Sequence, residues 1–250
     1  MLTAAALCPA PPLLARELTG ADPVVPELRQ ACLDAATDLL HSDPDVIAVV
    51  GAGEQTRAFG ARGRLDLAAY APALALGRLD GNWPDEHDGG APDGGGALLP
   101  LPLGLGCRLL DQAGYAGRLA LHTVSDQASA ADCAALGARI AGPAARVALL
   151  IMADGSARRG LKAPGYLDER SLPFDASVAE AIRAGDMAAL LALDAGLAGD
   201  LMATGRPAWQ VLAGALDGPR PASMIRYSDD PFGVAYLVAT LWPQHEAMPT

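Results

Sequence analysis

The chain has 250 residues, of which 51% are hydrophobic and only 4% aromatic, so a core of domain size must consist mainly of Ala, Leu and Val. A formal net charge of -11 argues against nonspecific binding to nucleic acid, because that binding depends on cations that neutralise phosphates. No stretch approaches the roughly 18 apolar residues of a membrane helix, and the N-terminus lacks the cation of a signal peptide. We therefore expect one cytoplasmic domain over residues 1–250.

The first 54 residues predict a strand, a helix and a second strand. Leu2 to Leu7 is a short apolar run, and Cys8-Pro9-Ala10-Pro11-Pro12 ends it, because prolines cannot continue a strand ladder. Apolar residues at helical spacing predict a helix from Pro26 to Leu40. Val46 to Val50 then reads as a buried strand that ends at Gly51-Ala52-Gly53-Glu54. A helix between two apolar strands indicates an α/β fold.

The middle of the chain predicts a loop followed by further elements of the same kind. The segment at about 77–97 is rich in Gly, Asp and Pro, which is typical of a surface loop. A helix begins near Pro102, and Arg118 to Val124 is a strand that contains His122, for which we favour a structural role. Ser129 is the expected N-cap of a helix that runs to Ala141.

The most informative segment is a six-residue apolar strand and the turn that follows it. Val147 to Met152 is apolar throughout, as expected for a strand buried on both faces of a parallel sheet. Ligands usually bind at the carboxyl edge of such sheets, which here carries Asp154, Gly155 and Ser156. Three cations follow and could hold a carboxylate or phosphate, although a solvated loop is the alternative. These cations are Arg158, Arg159 and Lys162.

Helices are predicted for most of the remaining chain, and two strands close it. The helices start near Leu172, Gly185, Asp194 and Pro207. Ala222 to Tyr227 and Val234 to Trp242 alternate in polarity and predict a hairpin at the edge of the sheet. The four cysteines, at positions 8, 32, 107 and 133, lack CxxC spacing, which disfavours a zinc site and fits a reducing compartment.

Taken in order, several of these motifs resemble the class III extradiol ring-cleavage dioxygenases. More closely, they resemble a bacterial, actinobacterial-looking branch of unknown function that is similar to the dioxygenase catalytic B subunit. The resemblance spans nearly the whole chain and implies a three-layer αβα sandwich with a central mostly parallel or mixed sheet. The motifs are Cys8-Pro9-Ala10-Pro11-Pro12-Leu13-Leu14, the strand ending at Gly51-Ala52-Gly53, Asp154-Gly155-Ser156-Ala157, and the helix containing Trp209.

The resemblance also implies a non-haem Fe(II) held by two histidines and one glutamate. The positions of the two histidines correspond to Ala10 and Gly53, and that of the catalytic histidine to Ala157. Thr204-Gly205-Arg206 stand where the glutamate is expected. Because these residues offer iron no such side chains, we expect no cofactor. Substitute ligands would have to come from Cys8, Glu54, Asp154 or His122.

Three functions remain open on the sequence. The first is a metal-free protein that binds a small anionic or aromatic ligand through some of the residues after the strands. The second is an enzyme, either a dioxygenase with a non-standard metal site or a protein that uses Cys8 as nucleophile. The third is a structural subunit, since members of this class often form homodimers or pair with a second subunit. The ligand-binding candidates are Cys8, Glu54, Asp154, Ser156, Arg158, Arg159 and Lys162.

Overall fold

The structure, a computed structural model, describes residues 1–20, 24–60, 63–70, 97–142 and 144–244. The surface loop predicted at about 77–97 lies outside these ranges except for Ala97, which begins a strand.

The described residues contain nine strands, and seven of them form one sheet. The sheet has the order β3-β6-β2-β7-β1-β9-β8, while β4 and β5 form a separate pair. The strands are β1 (Leu2–Cys8), β2 (Val46–Gly53), β3 (Arg57–Phe59), β4 (Gly63–Leu65), β5 (Ala97–Leu99), β6 (Arg118–Ser125), β7 (Val147–Met152), β8 (Ala222–Asp229) and β9 (Tyr236–Trp242).

Eight α-helices connect these strands within the described ranges, and a 3-10 turn at Pro12–Leu14 precedes the first of them. In those same ranges, no helix has the length and apolar character needed to cross a membrane. The helices are α1 (Arg16–Thr19), α2 (Pro26–His41), α3 (Leu101–Gln112), α4 (Ala130–Ile140), α5 (Ser171–Ala184), α6 (Met187–Leu191), α7 (Ala195–Asp200) and α8 (Arg206–Ala215).

The centre of the sheet is parallel and its edges are antiparallel. Strands β1, β7, β2 and β6 run in the same direction, so their carboxyl ends meet at one edge of the sheet. The predicted hairpin of β8 and β9 is confirmed and extends the sheet antiparallel to β1. All six residues of β7 are buried, as the unbroken apolar run predicted for a central strand.

Helices cover both faces of the sheet, which gives the expected three layers. Alternate strand residues on one face pack with α2 and α3, through residues such as Leu28 and Leu103. The other face packs with α4, α5 and α8, whose contributions include Phe174 and Trp209. Because every central strand contributes to both cores, its sequence is apolar at nearly every position.

Two features of the sheet differ from the prediction. Strand β2 continues through Gly53 instead of ending at Val50, because Gly51 and Gly53 pair with Thr123 and Ser125 of β6. At both glycines an added Cβ would lie within 3.0 Å of a neighbouring side chain, so the glycines serve close packing and not a turn. The short strand β3 was also missed, since three residues give too little pattern to recognise.

Candidate functional site

The register of the sheet places one row of residues at the carboxyl edge on the face that α2 and α3 cover. Cys8 pairs with Met152, and Met152 pairs with Gly51. Ala10, Asp154 and Gly53 stand two residues further along the sequence from these three positions. Ala10 packs in the same core as Cys8 and Met152. The backbone N–H of Ala10 donates to Oδ1 of Asp154 at 2.8 Å, so this row remains joined beyond the last strand pairing.

Asp154 is the titratable group at the centre of this row. Burial raises its pKa from 3.8 to about 6, although the hydrogen bond from Ala10 acts in the opposite direction. Within the described ranges, no donor bonds Oδ2 of this carboxyl group. A carboxyl group that titrates near neutral pH and has a free oxygen can accept a hydrogen bond from a ligand or exchange a proton with it.

Two tyrosines lie within the electrostatic reach of Asp154. Tyr236 begins β9, which pairs with β1 such that Leu7 faces Ala239, and this register carries Tyr236 to the level of Ala10. Burial, followed by the charge of Asp154, raises the pKa of Tyr236 well above its usual value. The same two causes raise the pKa of Tyr70, whose side chain is exposed. Both phenols therefore stay protonated at neutral pH.

The residues at the positions that the resemblance assigns to iron ligands do not fit Fe(II). Ala10 has only a methyl group, and a Cβ at Gly53 would lie 2.9 Å from Cβ of Thr123. A Cβ at Gly205 would lie 2.6 Å from the carbonyl oxygen of Asp154, so a glutamate at this position would have no space. Among the residues that the structure describes, no three His, Cys, Asp or Glu side chains form a potential metal cluster.

Arg206 and Ala157, at two further positions that the resemblance marks as functional, make structural contacts. Arg206 is buried and donates to the carbonyl oxygens of Asp126 and Ala128 and to the side chain of Gln210, so it ties α8 to the loop before α4. Ala157 is buried, and its backbone N–H donates to the carbonyl oxygen of Leu201.

The three predicted cations have different surroundings. Arg159 pairs with Asp230, with 2.6 Å between Nε and Oδ2, and its Nη1 lies 3.5 Å from Oδ2 of Asp175. Arg158 is half-buried, and its Nε has no hydrogen-bond partner among the described residues. Lys162 is exposed. The charge of Arg159 is thus already matched by two carboxylates, which weakens the expectation of a shared anion site.

Ser156 has a structural partner that the sequence did not indicate. Its backbone N–H donates to Oδ1 of Asp175 at 2.9 Å, and its hydroxyl group donates to Oδ2. Burial raises the pKa of Asp175, while the hydrogen bonds from Ser156 lower it. Ser156 is fully buried, so these bonds hold the turn after β7 against α5.

The surroundings of the remaining candidates do not favour a role in ligand binding. Cys8 is buried, and its side chain forms a hydrogen bond with that of Cys32. This hydrogen bond and the burial raise the pKa of the Cys8 thiol well above its usual range. A protonated core thiol lacks the character of a nucleophile. Glu54 is exposed. His122 shares a face of β6 with Ala120 and Val124, which pack in the core that contains Trp209.

The sequence reasoning missed Tyr70, Tyr236 and Asp175. Tyr236 reaches the site only because β9 pairs with β1, and sheet order cannot be read from the strands themselves. Asp175 lies on the helix predicted to start near Leu172, but its pairing with Ser156 depends on how α5 packs.

Comparisons with known proteins address the fold alone. No protein-family model matches the chain, and no curated protein matches it. Among solved structures, the chain is similar to the uncharacterized protein JW3007 from Escherichia coli K12, with a TM-score of 0.57 and 14% sequence identity. The match covers 96% of this chain and 99% of that one, so the two proteins share an α/β architecture over their full lengths.

Proposed function

We propose that the protein is a metal-free member of the extradiol dioxygenase-like fold, in which Asp154 binds a small aromatic molecule that carries a hydroxyl group. The observation that carries this proposal is the carboxyl group of Asp154, which lies between Ala10 and Gly53 and is held by the N–H of Ala10. In the family that the sequence resembles, the positions of Ala10 and Gly53 hold iron. Here the carboxyl group takes the place of the metal as the polar anchor of the ligand.

The surroundings of Asp154 favour an aromatic donor over an anion. An ionised Asp154 accepts a hydrogen bond from a ligand hydroxyl group and repels a ligand carboxylate. The phenols of Tyr70 and Tyr236 lie within reach of the charge of Asp154, so the site is built with aromatic residues and not with cations. The cation that was expected to attract an anion, Arg159, is already paired with two carboxylates.

The proposal is tested by titrating catechol into the chelator-treated protein at pH 7.5 by calorimetry. Wild type is expected to bind catechol, and the Asp154→Asn variant should bind it at least about 10-fold more weakly. Hydrogen bonds to charged groups contribute about 1.5–3 kcal/mol, which corresponds to that factor or more. Asn retains an oxygen for the N–H of Ala10, so the loop after β1 keeps its contact.

The matched control is Asp126→Asn, which removes an exposed carboxylate at the same edge of the sheet. Its catechol affinity should equal that of wild type. Benzoate, which has the ring but carries a negative charge, should bind more weakly than catechol. Equal loss of catechol affinity in the two variants, or tighter binding of benzoate, would rule the proposal out.

A further inference from the structure

A cavity that Asp154 does not line lies where α1 and the 3-10 turn meet α2 and α3. Its volume is about 220 Å³, which is below the size of pockets for drug-sized ligands. Its buried wall is apolar and comes from three elements, α2, α3 and the last residue of β7. This wall includes the buried side chains of Cys32, Leu105, Leu109 and Met152.

The mouth of this cavity is positively charged in a protein whose formal net charge is -11. Three guanidinium groups line it, those of Arg16, Arg29 and Arg108, against the two carboxyl groups of Glu17 and Asp111. Among the described residues, the lining therefore has a formal charge of +1. Arg108 forms a two-pronged ion pair with Glu17, with 2.6 Å between Nη1 and Oε2. Because Glu17 pairs with Arg108, it does not neutralise the charges of Arg16 and Arg29.

Arg29 is held in place without a negative partner. Its Nε donates to the carbonyl oxygen of Val24 and its Nη1 to that of Leu14, both at 2.9 Å, while Nη2 donates to Leu13. These carbonyl groups fix the guanidinium group but carry no net charge. No carboxylate in the described ranges pairs with Arg29 or with Arg16.

Arg16 and Arg29 also repel each other. Burial first, and then the charge of Arg16, lowers the pKa of Arg29. Two like charges beside an apolar cavity are stabilised by an anion that lies between them, and a guanidinium group binds a carboxylate through paired hydrogen bonds. Arg16 is exposed and has no bonded side-chain partner in the described ranges, so its guanidinium group is free to turn toward such a ligand.

We propose that this cavity binds a small monocarboxylate with an apolar body. The carboxylate lies at the mouth against Arg16 and Arg29, and the apolar body extends to Leu109 and Met152. The site is separate from the proposed catechol site, because Asp154 does not line this cavity. The two proposals therefore stand or fall independently.

The test is an NMR titration of the full chain with hexanoate and with 1-hexanol, which has the same tail without the charge. Wild type should bind hexanoate at least about threefold more tightly than 1-hexanol, because a carboxylate adds charge-assisted hydrogen bonds. The Arg16→Gln variant should lose this preference while its affinity for 1-hexanol stays the same. The Leu14→Phe variant, which fills part of the cavity, should weaken the binding of both molecules.

The matched control is Arg139→Gln, which removes an exposed arginine from α4 on the other face of the sheet. It should retain the hexanoate preference, and Arg16→Gln should retain wild-type catechol affinity. Equal affinities of wild type for hexanoate and 1-hexanol would overturn the proposal. An equal loss of the hexanoate preference in Arg16→Gln and Arg139→Gln would also overturn the proposal. The preference would then depend on the net charge of the protein and not on the position of Arg16.

Discussion

Ionisation of the Asp154 carboxyl group lowers the free energy of unfolding of the protein. Burial raises its pKa from 3.8 to about 6, so the folded chain holds this proton to a higher pH than the unfolded chain does. Stability then falls as pH rises through the window from about 4 to about 6, because the folded state binds more protons there. The loss is at most about 3 kcal/mol. Such a cost is typical of residues that are retained for binding and not for stability.

The Asp154→Asn variant should therefore be more stable than wild type at pH 7.5, by up to about 3 kcal/mol. The difference should narrow toward pH 5 and disappear below about pH 4, where the carboxyl group of wild type is protonated in both states. Urea unfolding of both proteins across this pH range measures it. A constant difference at all pH values would contradict the assignment, and Asp126→Asn provides the exposed control.

At the scale of single residues, the sequence located the site better than it described the chemistry. Asp154 and Ser156 were predicted at the carboxyl edge because an apolar strand ends just before them. The partner of Arg159, by contrast, is Asp230, which lies far along the chain and reaches it only through the hairpin of β8 and β9. Contacts of this kind depend on tertiary packing, which local patterns do not encode.

At the scale of elements, α4 and α8 approach each other closely where they cross. A Cβ at Gly137 would lie 2.0 Å from the carbonyl oxygen of Val211, and one at Gly214 would lie 2.2 Å from that of Ala134. The two backbones therefore touch, and glycine is required because any side chain would separate the helices. This contact fixes the position of α8. The backbone N–H of Gly205, just before the first turn of α8, donates to the carbonyl oxygen of Asp154.

We expect Gly214→Ala to destabilise the protein by about 3 kcal/mol or more, because neither backbone can shift without disturbing the core. The matched control is Gly199→Ala in α7, where an added Cβ would meet nothing within 4 Å. That change should stabilise the protein by about 0.5–1 kcal/mol, since alanine loses less backbone entropy than glycine. Urea unfolding at pH 7.5 gives both values, and similar effects of the two substitutions would contradict the packing argument.

The long elements could be predicted and the short ones could not. The helix over Pro26–His41 and the strand over Val147–Met152 have clear periodicity or apolar runs, and they lie within one residue of the predicted bounds. Strands β3, β4 and β5 have three residues each and carry no distinct pattern. The close approach of α4 and α8 was also not predicted, because a glycine in a helix does not reveal what it faces.

At the scale of the whole molecule, the order of the sheet assembles the candidate site. Strand β7 lies between β1 and β2, although it follows both in the chain, so Asp154 comes between Ala10 and Gly53. The sequence predicted the three strands but not their order. The cytoplasmic location stays a prediction. Association as a homodimer or with a second subunit stays an open alternative, and light scattering at several protein concentrations tests the homodimer.

The measurement that tests the central claim most directly is a titration of catechol into protein stripped of metal, repeated after anaerobic loading with Fe(II). We expect the same affinity in both titrations, because Asp154 and not a metal anchors the ligand. We also expect that iron does not remain bound after desalting. Catechol binding that appears only after Fe(II) has been added, with near one iron retained per chain, would contradict the central claim.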